Sequence, residues 1–263
     1  MKFKGSIATL ALASIFTAAA PAQAAGLLTN WFVDTDGAGG NAAVAVNDYL
    51  DLNGTAYVKN TFTSASTFNF NEYGTFITNL ADSVTSLSPQ LDSRIFASGT
   101  GTTGGQLLFN TGTLEIFSGA NSIATFNLKT GSATLNAGTV LPNGAVSLIF
   151  AATALDAGYF FDSNMVDLST FLIPGEEIVL GFSTTNVISL ANGVRTVTSS
   201  LITGYNATFD PDVAPVIIAN NTTDLLIGNN GQFRAAIPEP GSLALLGIGL
   251  MGLALGKRRS KQA

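Results

Sequence analysis

The sequence predicts an all-β protein whose central domain is an antiparallel β-sandwich or a jelly-roll-like fold. Between residues 25 and 236, short runs rich in Phe, Val, Ile, Thr and Leu alternate with clusters of Gly, Asn, Ser and Asp. Turn residues at intervals of roughly 8–12 positions are typical of β-sandwiches and related closed sheets. No sustained helical period occurs in this region, and the 18 Phe residues of the chain supply apolar volume for a core.

The clearest strand signals lie in the first half of the domain. The alternating stretch around Phe68 and Phe70 places both rings on one face of a strand. Thr113–Phe117 and Ile123–Leu128 are separated by turn residues and predict a hairpin. A further turn is expected at Lys129–Ser132, so that the chain continues as a meander.

The remaining elements follow from composition. Ala145–Ala152 is nearly all apolar and predicts a strand buried on both faces. The glycine-rich stretch Gly99–Gly105 predicts a flexible loop that divides two sheets. Asp162–Phe171 predicts one short helical turn with Ser163 or Asp162 as its cap. Further strands are expected at Ile178–Phe182, Val194–Ile202, Val213–Ala219, Asp224–Ile227 and, after a break at Asn229–Gly231, at Gln232–Ala236.

Residues 1–24 have the pattern of a secretory signal peptide. Two lysines precede an apolar stretch from Ile7 to about Ala20, and Ala22 and Ala24 then form a small-x-small cleavage site. The mature chain is therefore expected to begin at Ala25 after export by the Sec machinery. A resident membrane helix is the alternative interpretation.

Residues 237–263 form a second processing segment. Pro238, Glu239 and Pro240 hold the chain extended, because each proline ring fixes φ and disfavours the helical region for the residue before it. The run Ser242–Gly256 is about 15 residues long against the roughly 20 that span an average bilayer, so it predicts a short transmembrane helix. Cations behind it favour a cytoplasmic terminus: Lys257, Arg258, Arg259 and Lys261. A buried apolar hairpin with a solvated basic tail is the alternative.

These three parts in this order resemble the PEP-CTERM sorting signal of exopolysaccharide-producing bacteria. The resemblance implies that a membrane protease, an exosortase, recognises Pro238-Glu239-Pro240 and removes the tail. Anchoring in the inner membrane would then be transient, and the domain of residues 25–236 would reach the cell surface or the extracellular matrix.

The charge of the exported part is strongly negative. Six of the 11 Lys and Arg residues and one of the 17 Asp and Glu residues, Glu239, lie in the two terminal segments, so residues 25–236 have five cations, 16 acidic residues and a net charge of about −11. Such a charge argues against nucleic acid as a partner. It is compatible with Ca²⁺ or with a solubilising surface.

The chain has no Cys and no His. Disulfides are therefore excluded, and so are the Ser-His-Asp triad, the Cys-His dyad and the common zinc ligand sets. No local motif pairs two glutamates for glycoside hydrolysis. We expect the protein not to be an enzyme and to use no resident cofactor.

Asp34, Asp36 and Asn41 resemble the start of a calcium-binding loop, in which oxygen ligands alternate with turn glycines. The bidentate Glu expected at the twelfth position is replaced by Ala45. A solvated turn is the favoured interpretation, and a Ca²⁺ site formed by these three residues is the alternative.

Exposed positions are expected to be rich in Thr, Ser, Asn and Gly, since only 11% of the residues are charged. Their hydroxyl and amide groups suit hydrogen bonding to sugars. Four aromatic residues are predicted to offer stacking faces for sugar rings: Trp31, Tyr49, Tyr57 and Tyr73.

Three short phrases, Leu28–Trp31, Val46–Gly54 and Phe70–Phe76, are similar to the flocculation-associated PEP-CTERM proteins of floc-forming bacteria. This resemblance implies a secreted matrix protein that promotes cell aggregation with exopolysaccharide, in flocs or biofilm. A lectin-like carbohydrate-binding module is the alternative, followed by a matrix glycosidase.

Overall fold

A computed structural model describes residues 25–39, 43–103, 105–135, 144–172, 178–184, 187–189, 197–209 and 224–238. The chain divides into two compact units, residues 1–26 together with 238–263, and residues 27–237. Nearly all described residues belong to the second unit, which is the subject below.

The described part of the chain is built from strands, one α-helix and a short 3-10 helix at Leu168–Phe171. The helix, α1, spans Ser199–Phe209. The strands in chain order are β1 (Ala25–Leu27), β2 (Trp31–Val33), β3 (Val44–Val46), β4 (Leu50–Phe62), β5 (Thr67–Ala81), β6 (Thr85–Thr102), β7 (Gln106–Ser118), β8 (Asn121–Leu135), β9 (Gly144–Leu155), β10 (Phe160–Phe161), β11 (Val179–Thr184), β12 (Val187–Ser189) and β13 (Leu225–Pro238).

Ten of the described strands form one large antiparallel sheet that closes on itself. From β4 to β9 each strand pairs with the next one in sequence, and β11 and β13 extend the same sheet beyond β9. β13 then pairs with β11 over Gln232–Ala236 and with β4 over Leu225–Phe233, which completes the circuit. A small second sheet has the order β10-β2-β3. The predicted all-β, antiparallel fold class is confirmed, and the predicted meander extends over six consecutive strands.

The apolar residues of the large sheet fill its interior. Along β5 and β6, buried and more exposed positions alternate, as side chains of a strand must when one face lies against a core. Phe70, Phe150 and Phe233 are each at most 2% exposed. Burying each such ring stabilises the fold by roughly 1.5–3 kcal/mol. The prediction that Phe68 and Phe70 share one buried face is confirmed.

Glycines opposite β5 make room for its phenylalanine rings. A Cβ atom on Gly101 would lie 2.3 Å from the ring of Phe68, and one on Gly99 would lie 2.6 Å from the ring of Phe70. Both glycines lie within β6, so the predicted loop at Gly99–Gly105 is wrong for its first half. β6 and β7 also pair in one sheet, so this stretch does not divide two sheets. Because these glycines have no side chains, the neighbouring rings can occupy the space beside them.

We expect Gly101→Ala to destabilise the domain by about 1–3 kcal/mol, because the new methyl group would force the Phe68 ring out of its place. Urea unfolding at neutral pH measures this effect. Gly181→Ala is the matched control: Gly181 also lies within a strand, but a Cβ atom there meets nothing closer than 3.8 Å. The control is expected to be neutral or slightly stabilising. Equal stability of the two variants would contradict the packing role of Gly101.

Three further predictions about strand limits are corrected. Lys129–Ser132 is not a turn but part of β8. The pairing of β8 with β9 shifts its register between Leu128 and Thr130. Asn229–Gly231 likewise does not interrupt the chain, because these residues pair with β4 inside β13. β9 is not buried on both faces, since Ile149 is 38% exposed.

The helical elements also differ from expectation. The predicted strand Val194–Ile202 is wrong at its end, because Ser199–Ile202 begin α1. The short helical turn near Phe171 is confirmed, but its cap is Asp167, whose side chain accepts a hydrogen bond from the Ser169 N–H. The predicted strand at Val213–Ala219 lies outside the described residues.

Helix α1 packs on the outward face of β4 and β5. Its buried residues are Leu201, Ile202 and Tyr205. Tyr205 follows Leu201 by four positions and Ile202 by three, so the three side chains share one helix face. They contact Tyr57 and Tyr73, whose rings point away from the interior of the closed sheet. The rings of Tyr57 and Tyr205 meet edge to face at 5.1 Å. The helix therefore covers the middle of the outward face of β4 and β5.

Candidate functional site

The outward face of β4, β5 and β6 carries polar side chains in register. Thr55, Thr75 and Arg94 form one row across the three strands. Asn53, Ile77 and Asp92 form the next row. Because the rows come from three consecutive strands, the pairing of these strands is what brings the groups together.

A groove of about 480 Å³ lies over these two rows. We call it the charged groove, since it contains a carboxylate and a guanidinium side by side on β6. Its lining consists of Asn53, Gly54, Thr55, Thr75, Phe76, Ile77, Asp92, Ser93 and Arg94.

Contacts on β6 itself and on the neighbouring strand β7 position the two charged groups. The guanidinium carbon of Arg94 lies 4.5 Å from the centre of the Phe117 ring on β7. This cation–π contact orients the planar group. Asp92 accepts a hydrogen bond from the Gln90 amide at 3.3 Å. Glu115 stands opposite Arg94 in the register of β6 and β7.

The charged groove offers donors and acceptors in a small area. The Arg94 guanidinium only donates hydrogen bonds, the Asp92 carboxylate accepts them, and the hydroxyl groups of Thr55 and Thr75 do both. A ligand with many hydroxyl groups, each of which also donates and accepts, matches this mixture. The lining also includes Ser93, which is 3% exposed and whose Oγ atom has no hydrogen-bond partner.

Of the two glutamates within the described ranges, Glu72 points into the interior of the closed sheet. It lies on the same face of β5 as Phe70 and Phe76, with Val58 and Ala97 beside it on β4 and β6. It is 4% exposed, and its Oε2 atom has no hydrogen-bond partner. Burial raises the pKa of the Glu72 carboxyl to about 7. The sequence signal was available, since Glu72 continues the alternation of Phe68 and Phe70.

The two glutamates that the structure describes do not form a hydrolytic pair. Glu72 faces the interior, whereas Glu115 lies on the outward face of β7. The sheet therefore separates their carboxyl groups. Glu176 and Glu177 lie outside the described residues.

Three of the four aromatic residues considered for sugar stacking are unsuitable. Trp31, Tyr57 and Tyr73 are 2%, 1% and 7% exposed, so their ring faces are covered by protein. Tyr57 instead donates a hydrogen bond of 2.6 Å to Asp224. Tyr49 is partly exposed, and Arg234 lies over its ring at 5.4 Å.

Asp34 organises the loop in which calcium was predicted. Its carboxylate accepts hydrogen bonds from the backbone N–H groups of Asp36, Gly37 and Gly39. This turn leaves Asp36 exposed, and Asn41 lies outside the described residues. Within the parts of the chain that the structure describes, no three His, Cys, Asp or Glu side chains gather into a group able to hold a metal ion. The calcium site stays a prediction.

Only the start of the C-terminal processing segment falls within the described residues. Pro238 ends β13. Ala25, the predicted first residue of the mature chain, begins β1. The remaining residues predicted for sorting and signal cleavage lie outside the described ranges: Glu239, Pro240, Lys257, Arg258, Arg259, Ala22 and Ala24. Neither helix within those ranges is both long and apolar enough to cross a membrane.

Comparison with known proteins identifies this segment. Residues 236–259 match the family model of the PEP-CTERM protein-sorting motif. No curated protein and no solved structure matches the chain. The predicted PEP-CTERM signal is thus confirmed, and with it an exosortase as processing partner and export to the cell surface or the extracellular space. The similarity to flocculation-associated proteins stays a prediction.

Proposed function

Because the chain carries an exosortase sorting motif and is exported, we propose that it is a structural protein of the extracellular matrix that binds exopolysaccharide and holds cells together. The role is non-catalytic: the domain contributes a binding surface, and cell aggregation follows from attachment to a shared polymer. The charged groove is the single observation that carries this proposal.

The composition of the charged groove supports a polyhydroxylated ligand. Asn53, Thr55, Thr75, Asp92 and Arg94 present amide, hydroxyl, carboxylate and guanidinium groups on one face of the sheet. Neighbouring sugar hydroxyls need both donors and acceptors within a few ångströms, and this set provides both. The negative charge of the exported part disfavours long anionic polymers in general, so local hydrogen bonding must supply the affinity.

A lectin-like module with one defined sugar is the second candidate, and the limited size of the charged groove favours it. The two candidates differ in competition experiments. A single monosaccharide that displaces the polymer at millimolar concentration supports a lectin. Displacement only by longer fragments supports a matrix protein that contacts an extended polymer.

We expect Arg94→Gln to weaken binding to exopolysaccharide purified from the producing cells by roughly tenfold or more. The reason is that hydrogen bonds to a charged group contribute about 1.5–3 kcal/mol. Co-sedimentation of the protein with the polymer measures this. Arg234→Gln is the matched control, because Arg234 is exposed on β13 and does not line the charged groove. If both variants bind as the wild type does, the charged groove is not the polymer site.

A further inference from the structure

The outward face of the large sheet has a second groove, at the opposite end of β4, β5 and β6 from the charged groove. It has a volume of about 340 Å³. Its lining consists of Thr63, Thr67, Phe68, Asn69, Thr100, Gly101, Thr102, Gln106 and Leu108. We call it the threonine groove.

The threonine groove differs chemically from the charged groove. Among the described residues that line it, none has an ionisable side chain, and the polar groups are hydroxyls and amides. The turn between β4 and β5 is held by its own hydroxyl groups, with 2.9 Å between the Oγ1 atoms of Thr63 and Thr67. The rim of the groove is therefore fixed before any ligand binds.

One apolar side chain stands exposed next to these hydroxyl groups. Leu108 lines the groove and is 56% exposed. Large apolar groups left in solvent beside a polar groove are typical of binding sites. A neutral sugar ring presents both kinds of surface, C–H groups on its faces and hydroxyl groups around its edge.

Helix α1 lies between the two grooves. It packs on Tyr57 and Tyr73, in the row of residues that also includes Phe96 on β6. Along β6 this row comes after Arg94 of the charged groove and before Thr100 of the threonine groove. Thr100 lies six positions after Arg94 on β6, a distance of about 20 Å along the strand. A polymer in one groove thus leaves the other groove free.

We propose that the threonine groove is a second saccharide site, selective for uncharged sugar units, and that one chain therefore bridges two strands of polysaccharide. This inference rests on the proposed function, since it assumes that the first site is the charged groove. Two sites on one rigid sheet make a monomer a cross-linker, because each bound polymer strand raises the local concentration of the other. Cell aggregation then requires no oligomer of the protein.

The test uses the exported protein and polymer purified from the producing cells. Partial hydrolysis and anion exchange separate the polymer into neutral and acidic oligosaccharides. The variant Thr100→Val with Thr102→Val removes two hydroxyl groups from the threonine groove while keeping β-branched side chains that suit a strand. Thr153→Val is the matched control, because Thr153 is exposed on β9 and lines neither groove. Thermal unfolding shows whether each variant is folded.

We expect the double variant to lose at least about tenfold in affinity for the neutral oligosaccharides, and Arg94→Gln to retain that affinity. We also expect wild-type monomer, verified by light scattering, to make solutions of intact polymer turbid. The double variant and Arg94→Gln should each bind polymer without causing turbidity. Unchanged neutral binding in the double variant, or turbidity that persists in it, would overturn the second site while leaving the proposed function intact. Failure of the wild type to bind intact polymer would instead overturn the proposed function.

Discussion

Replacing Pro238, Glu239 and Pro240 with alanine is expected to keep the protein in the membrane and to abolish its release. These residues lie within the matched sorting motif, which an exosortase must recognise before it processes the chain. Without recognition, the apolar run that follows would remain attached as an anchor. The change is from mostly released to mostly membrane-held protein, measured by immunoblotting of culture supernatant and membrane fractions.

A matched triple substitution provides the control for this experiment. Changing Ser260, Lys261 and Gln262 to alanine alters the same number of residues beyond the motif, which ends at residue 259. This control should be released normally. Mass spectrometry of the released wild type should show a carboxyl terminus that lacks the basic residues. Release of the Pro-Glu-Pro variant at the wild-type level would contradict the role of this motif in processing.

Glu72→Gln is expected to remove a large pH dependence of stability. The pKa of Glu72 is about 7 in the folded chain, against 4.5 for an ordinary glutamate such as the unfolded chain presents. Between these values the folded state holds a proton that the unfolded state has lost, so stability falls as pH rises from 4.5 to 7. The full loss is present above pH 7 and amounts to about 3 kcal/mol.

Urea unfolding at pH 4.5, 6 and 8 measures this slope. The wild type should lose about 3 kcal/mol across the series, and Glu72→Gln should lose much less, because its amide does not titrate. The control Glu115→Gln changes an outward-facing glutamate and should keep the wild-type slope. Equal slopes for all three proteins would show that the Glu72 carboxyl is solvated in solution.

Titration of Asp82 does not contribute to the change in stability between pH 4.5 and 8. Burial alone would raise the pKa of Asp82, but hydrogen bonds from the backbone N–H groups of Asn47, Asp48 and Tyr49 outweigh it and lower that pKa. Its contribution to stability is therefore present above the ordinary aspartate pKa and is lost only in more acidic solution. The pH series begins above that range.

Local patterns in the sequence predicted those features that depend on neighbouring residues alone. The sorting motif is linear, so Pro238-Glu239-Pro240 and the segments behind it suffice to recognise it. The alternation at Phe68 and Phe70 likewise predicts a strand and its buried face, because side-chain direction in a strand depends only on parity.

Features that depend on partners across the sheet were predicted poorly. Gly99 and Gly101 have the composition of a loop, and only the rings opposite them explain their place in β6. The residues just before α1 include β-branched Val197 and Thr198, which favour a strand, but Tyr57 and Tyr73 offer an apolar surface on which a helix packs. The charged groove joins Thr55, Thr75 and Arg94 through strand register, which no local pattern specifies.

The pairing of β13 with β4 has a consequence for how copies of this protein can associate. Within the circuit of β4 to β9, β11 and β13, every strand has a hydrogen-bonded neighbour on both sides, so a foreign strand cannot add there without displacing a native one. Copies that meet through these eight strands must therefore contact one another by side chains. Among the described residues, the small sheet differs, because β3 keeps one edge without a paired strand.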